Sequence, residues 1–90
     1  MNISNEGIQI TKRFFDAIEV LRANKEIRGV QTFTRNHGLN YWNVMTLRKE
    51  PDKHVLFPEY IKWLCEDYGI SIEWIMFGTG FFYNRQNKVR

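Results

Sequence analysis

Glycine and proline set the first limit on this chain. Gly29, Gly38, Pro51, Pro58, Gly69, Gly78 and Gly80 cut everything beyond residue 28 into short pieces. Glycine tolerates the positive φ found just past a helix end, and proline fits a first helical turn but not a helix interior. These residues therefore read as stops and starts. Between them apolar residues recur at helical spacing, and nowhere at the period of two that a half-buried strand requires. The expected fold is all-α, with five helices.

A first helix is expected from about Gln9 to Asn24, with Ile10, Phe14, Ala17, Ile18 and Leu21 on one face and Lys12, Asp16 and Glu19 largely away from it. Residues 1–8 read as a loose lead-in, and Lys25 to Gly29 as a connection. A short second helix, Val30 to His37, turns Val30 and Phe33 inward, with Thr34 placed to join them. Gly38 suits the C′ position after it, and Asn40 suits the N-cap of a third helix from Tyr41 to about Lys49. Val44 and Leu47 share that helix's buried face, and Pro51-Asp52 stops it. Pro58 opens a fourth helix with a stripe of Ile61, Leu64, Cys65 and Tyr68, closed by Gly69. Ser71 caps a fifth, Ile72 to Phe77, with Glu73 favourable in its first turn and Gly78 at its end. The expected domain is 9–83, and the basic stretch 84–90 reads as a frayed tail. Phe14, Ile18, Leu21, Phe33, Val44, Leu47, Ile61, Leu64 and Trp74 are expected in one core.

Ninety residues, 43% hydrophobic and 16% aromatic, suffice for one compact domain with a thin core. The single cysteine, Cys65, forms no internal disulfide and suits a reducing compartment. No signal-peptide pattern opens the chain and no window approaches the roughly 20 apolar residues of a membrane span, so a cytoplasmic location is expected.

The charge is informative by its position. Net charge is +3, with a pI near 9.2. Residues 1–24 and 55–90 are each balanced. The segment 25–54 sets Lys25, Arg28, Arg35, Arg48, Lys49 and Lys53 against Glu26, Glu50 and Asp52, and so holds the entire excess. That same segment reads helix, glycine, apolar residue, N-cap, helix. This is the layout in which a second helix enters the DNA major groove, pinned from behind by a few buried residues.

Phe33-Thr34, then Gly38-Leu39-Asn40, Val44 and Leu47, resemble the Cro/repressor-type (lambda-repressor-like) helix-turn-helix domains of phage and bacterial regulators, in a small phage-derived variant. Leu64-Cys65-Glu66-Asp67-Tyr68-Gly69-Ile70, running into Glu73-Trp74-Ile75 and Gly78-Thr79-Gly80, extends the resemblance to about residues 10–82. It implies a five-helix bundle, sequence-specific binding to double-stranded DNA as a homodimer, and transcriptional regulation, with repression expected. The chain departs from the family's pattern where Val30 replaces the usual Gln, Thr34 the usual Ala, Tyr41-Trp42 a small or polar opening, and Arg48-Lys49-Glu50 the usual Glu-x-Gly. Those departures bear on how bases are read more than on the fold.

The expected DNA-contacting set is Gln31, Thr32 and Arg35 on the second helix, Asn40, Tyr41, Trp42, Asn43, Thr46, Arg48 and Lys49 on or beside the third, and Lys53 beyond it. Asn43, Thr46 and Arg48 suit base edges; Thr32, Arg35, Lys49 and Lys53 suit phosphates. Tyr41 and Trp42 suit thymine methyls or phosphates, and equally a place covering the edge of the core or a protein interface. The alternative is therefore a protein-interaction module on a repressor-like fold; RNA binding through the aromatics has less support, because no stacking sheet is evident. Ile75, Met76, Phe77, Phe81 and Phe82 are the expected dimer surface.

Nothing in the sequence points to an enzyme, a cofactor or a metal. His37 and His54 lack partners at metal-ligand spacing. Cys65 falls on an apolar stripe, and Glu66-Asp67 point apart on a helix. Gly78-Thr79-Gly80 lacks the strand and the Gly-Lys of a phosphate loop, and a helix C-cap followed by a turn accounts for it.

Overall fold

The computed structural model describes residues 3–84. These form five helices and no strand: α1 (Asn5–Ala23), α2 (Val30–Asn36), α3 (Tyr41–Lys49), α4 (Pro58–Tyr68) and α5 (Ile72–Phe77). The chain divides into two compact units, Met1–Leu56 and Phe57–Arg90. No helix among the described residues is long and apolar enough to cross a membrane.

In the first unit α1 begins at Asn5, earlier than the apolar stripe indicates. Ser4 caps it: its Oγ accepts from the Gly7 N–H at 3.0 Å, and Glu6 sits in the first turn, where negative charge opposes the helix dipole. The Ile3 N–H reaches the Asp52 carbonyl at 3.4 Å. Residues 5–8, expected in a lead-in, are therefore helical, and residues 1–2 of that lead-in lie outside the described residues. The buried face carries Thr11 and Phe15 beside Phe14, Ala17, Ile18 and Leu21, while Ile10 is only half-buried.

Two helices of this unit end in the same way. After α1, the Glu26 N–H donates to the Leu21 carbonyl at 2.9 Å and the Lys25 N–H to the Arg22 carbonyl at 3.0 Å. After α2, the Leu39 N–H donates to the Thr34 carbonyl at 2.9 Å and the Gly38 N–H to the Arg35 carbonyl at 3.4 Å. Each is a Schellman closure, which places one residue in the left-handed region. Gly38 takes it at φ 64°, and so does Lys25, also at φ 64°. Asn40 then caps α3, its Oδ1 accepting from the Asn43 N–H at 3.0 Å. α3 packs on α2 and α1 through Val44 and Leu47. Phe14 and Phe33, both fully buried, meet edge-on at 5.6 Å, and Phe15 meets Phe14 edge-on at 5.1 Å. Thr34 is buried without penalty because its hydroxyl donates to the Gln31 carbonyl at 3.1 Å.

In the second unit α4 opens on Pro58 and buries Ile61 and Leu64, with Cys65 and Tyr68 half-buried. Gly69 ends it in the left-handed region at φ 70°. Ser71 caps α5, which packs on α4. The chain then returns to form an isolated antiparallel bridge between Ile70 and Tyr83. The Ser71 N–H donates to the Phe82 carbonyl at 2.8 Å and the Asn84 N–H to the Gly69 carbonyl at 2.7 Å. Asn84, expected at the start of a frayed tail, is thus tied down; residues 85–90 of that tail lie outside the described residues. Trp74, expected in the core, is half-buried, with Phe82 edge-on to it at 4.8 Å. Of the expected dimer surface, Ile75 is fully buried, and Met76 and Phe82 are half-buried. Phe77 and Phe81 remain open at 74% and 88% exposure, joined by Ile72.

The two left-handed residues predict opposite responses. A side chain in that region costs roughly 1–2 kcal/mol, offset in part by a less flexible unfolded chain. Nothing lies near a Cβ added at Gly38, so only the backbone responds. Gly38→Ala should lower unfolding stability by about 1 kcal/mol, and Lys25→Gly should raise it by up to about 1 kcal/mol. Urea denaturation followed by far-UV circular dichroism reads both. Equal shifts of the same sign would contradict this account of the two turns.

Candidate nucleic-acid interface

α3 is short, and its two faces are unlike. Val44 and Leu47 hold it from behind. At 100° per residue the opposite side carries Trp42, Met45, Thr46 and Lys49, with Asn43 on one flank and Tyr41 and Arg48 on the other. Trp42 is 72% exposed, and the half-buried Tyr41 lies edge-on to it at 5.0 Å. Trp42, Met45, Thr46, Arg48 and Lys49 line an open depression of about 630 Å³.

The expected contact residues divide by what their polar atoms already do. The Thr32 Oγ1 accepts from the Arg28 N–H at 3.1 Å, securing the entry to α2. The Asn40 Oδ1 caps α3. The Thr46 hydroxyl donates to the Trp42 carbonyl at 2.9 Å, one turn back along the helix. The Gln31 carboxamide lies over Gly29, where an added Cβ would come within 2.8 Å of its Oε1. Arg48 turns toward α1: its Nη2 is 3.4 Å from the Glu19 carboxylate, and its guanidinium lies over the Phe15 ring at 5.8 Å. Lys53 is 3.8 Å from the Glu50 carboxylate, which His54 also approaches at 3.4 Å. Arg35, Trp42, Asn43 and Lys49 are exposed, and among the described residues their side chains have no hydrogen-bond or ion-pair partner.

Two features of this face are not visible in the residue pattern. The depression gathers Trp42, Met45, Thr46, Arg48 and Lys49 into one concave surface, which helical spacing alone does not show. The Arg48–Glu19–Phe15 arrangement links residues far apart in the chain, so no local spacing announces it.

Elsewhere, the His37 ring lies against Phe33 at 5.1 Å. Among the described residues no three His, Cys, Asp or Glu side chains converge as metal ligands would. Burial, with a smaller push from Glu66, raises the Cys65 thiol to about 11, which suppresses the reactive thiolate.

No family model, no curated protein and no solved structure matches the chain.

Two measurements probe this geometry. In a double-mutant cycle, Arg48→Ala and Glu19→Gln should couple by about 0.5 kcal/mol at low salt and less in high salt, as for other partly exposed pairs. Arg48→Ala should also exceed Glu19→Gln in cost, because it uncovers Phe15. Separately, iodoacetamide at pH 8 should modify Cys65 in the folded protein roughly tenfold more slowly than in urea, because burial holds the thiol at about 11 against the ordinary 9.0 and the scarcer thiolate is only partly offset by its greater nucleophilicity.

Proposed function

We propose that this protein binds double-stranded DNA sequence-specifically, as a homodimer, and regulates transcription as a repressor, with α2 and α3 acting as a helix-turn-helix within a lambda-repressor-like bundle. The observation that carries the reading is α3 itself. It is a nine-residue helix held from behind by Val44 and Leu47, set by the four-residue turn His37–Asn40 after α2, and presenting Trp42, Asn43, Met45, Thr46 and Lys49 outward. A major groove admits one such helix. The surrounding segment 25–54 holds the chain's whole charge excess, as a phosphate-facing surface would. On this reading the exposed Arg35 and Lys49 contact phosphates, with Gln31 in the first turn of α2 beside them in the contact set. Arg48 acts by fixing α3 on α1 through Glu19, more than by reading a base.

Dimerisation is assigned to the second unit, where Ile72, Phe77 and Phe81 stand exposed. Large open apolar groups of this kind commonly mark association surfaces. The exposed Trp42 favours a second reading, in which α3 docks a protein partner, since tryptophan is a frequent anchor at interfaces.

Selection from a random duplex library separates the readings. The DNA reading expects one enriched, pseudo-palindromic motif with half-sites about 34 Å apart. Affinity should fall steeply with salt, and Lys49→Ala should flatten the log–log salt slope by about one while weakening all sequences alike. Failure to retain any duplex at low salt would leave the protein-docking reading in its place. Phe77→Ser with Phe81→Ser should shift a sedimenting dimer to monomer while leaving the helical spectrum intact.

A further inference from the structure

We infer that the depression on the outward face of α3 is a receptor for thymine methyl groups, so that the preferred half-site contains adjacent thymines read by apolar contact rather than by hydrogen bonds. The inference rests on the DNA-binding reading above and names what that surface selects.

The groups lining the depression have little directional polarity to offer. Thr46's hydroxyl donates to the Trp42 carbonyl, so its proton is spent within the helix and it has no donor left for a base, only its methyl and an acceptor oxygen. Arg48's guanidinium is drawn to Glu19 and lies over Phe15. Met45 supplies a thioether, and the Trp42 indole carries a single N–H and no acceptor. The centre of the face is therefore mostly carbon and sulfur, with a positive edge at Lys49.

A base-pair edge in the major groove presents donors, acceptors and one apolar group, the 5-methyl of thymine. Setting a carbon-lined surface against the N7 and O6 of guanine or the amino group of cytosine would strip water from polar atoms without replacing their hydrogen bonds. Only the thymine methyl gains from such a contact. Trp42 and Thr46 are one helical turn apart, a rise of roughly 6 Å, which covers about two base-pair steps of roughly 3.4 Å each. The floor is therefore long enough to span the methyls of adjacent thymines, which lie one step apart. An apolar peptide would match the same floor, but the concentration of basic residues in 25–54, with Lys49 on the rim, favours a polyanion.

The test removes the methyl and nothing else. Random duplex libraries are synthesised in parallel with dTTP or with dUTP and selected on the purified protein. The enriched duplex is then remade with single thymine-to-deoxyuridine replacements and titrated by fluorescence anisotropy. The thymine library should yield a motif with adjacent thymines in each half-site. Each replacement there should weaken binding three- to tenfold, in line with about 0.8 kcal/mol or more per buried methyl. Replacements outside those positions should change affinity less than twofold. Thr46→Val, which keeps the methyls and removes the hydroxyl, should retain both affinity and the deoxyuridine penalty. Thr46→Ser, which keeps the hydroxyl and removes the methyl, should lose part of that penalty, and Trp42→Ala most of it, with circular dichroism confirming the fold of each. If both libraries return the same motif at the same affinity, methyl reading is wrong while DNA binding stands. A Thr46→Val variant that loses specificity would likewise overturn it, by showing that the hydroxyl reads the base. Retention of neither library at any salt would overturn this inference together with the DNA reading beneath it.

Discussion

The hydrogen bond from the Leu39 amide to the Thr34 carbonyl sets the direction in which the chain leaves α2, and the working surface depends on that direction. The bond forms only if the residue between adopts positive φ, and Gly38 supplies it. Asn40 can then place its side-chain oxygen on the first turn of α3, so that one helix is closed and the next opened within three residues. Val44 and Leu47 are turned inward by this sequence of events, and everything on the far side of α3 is turned outward by default. A change in the turn would re-aim the whole face rather than one contact.

Around that turn the polar side chains divide between building the segment and being available to a partner. Thr32, Asn40 and Thr46 each close a local hydrogen bond, and Arg48 forms a tertiary ion pair with Glu19. A donor engaged in this way reaches a base only by giving up its partner, and the exchange gains little. Much of the outward face is thereby left to Trp42 and Met45, with Asn43 and Lys49 at its margins. The polar character that residue types suggest for the helix is thus greater than the polar character it presents.

Local signals were legible in the sequence where the structure uses them locally. Gly38, Asn40, Pro58, Gly69, Ser71 and Gly78 stand where capping chemistry placed them, and α3 has the expected bounds. The start of α1 was not legible from its stripe, because the first turn adds no residue to the buried face and the Ser4 cap precedes it. Its end carries Lys25 where a glycine would have announced the stop. The helical stripe includes Phe14 and omits Phe15, and both are buried because the face is wider than the stripe. In six-residue α5 periodicity has too few turns to act on, so Ile75, expected at the surface, is fully buried while Trp74, expected in the core, is half-buried. Arg48 is the clearest limit in the candidate interface. Its residue type and position suggested base reading, and its partner Glu19 lies on another helix, beyond any local pattern.

The Ile70–Tyr83 bridge gives the second unit a kinetic character. Its two flanking backbone bonds, at Ser71 and Asn84, close a short loop around α5. Loops of about ten residues meet in roughly 10–100 ns, and their closure entropy grows only slowly with length. The bridge can therefore form about as soon as α5 does, without waiting for a distant part of the chain. Contacts of such short sequence separation favour rapid folding. Phe77 in α5 and Phe81 in the return segment both lie within this loop, so they are set in place by contacts close in sequence rather than by the rest of the chain.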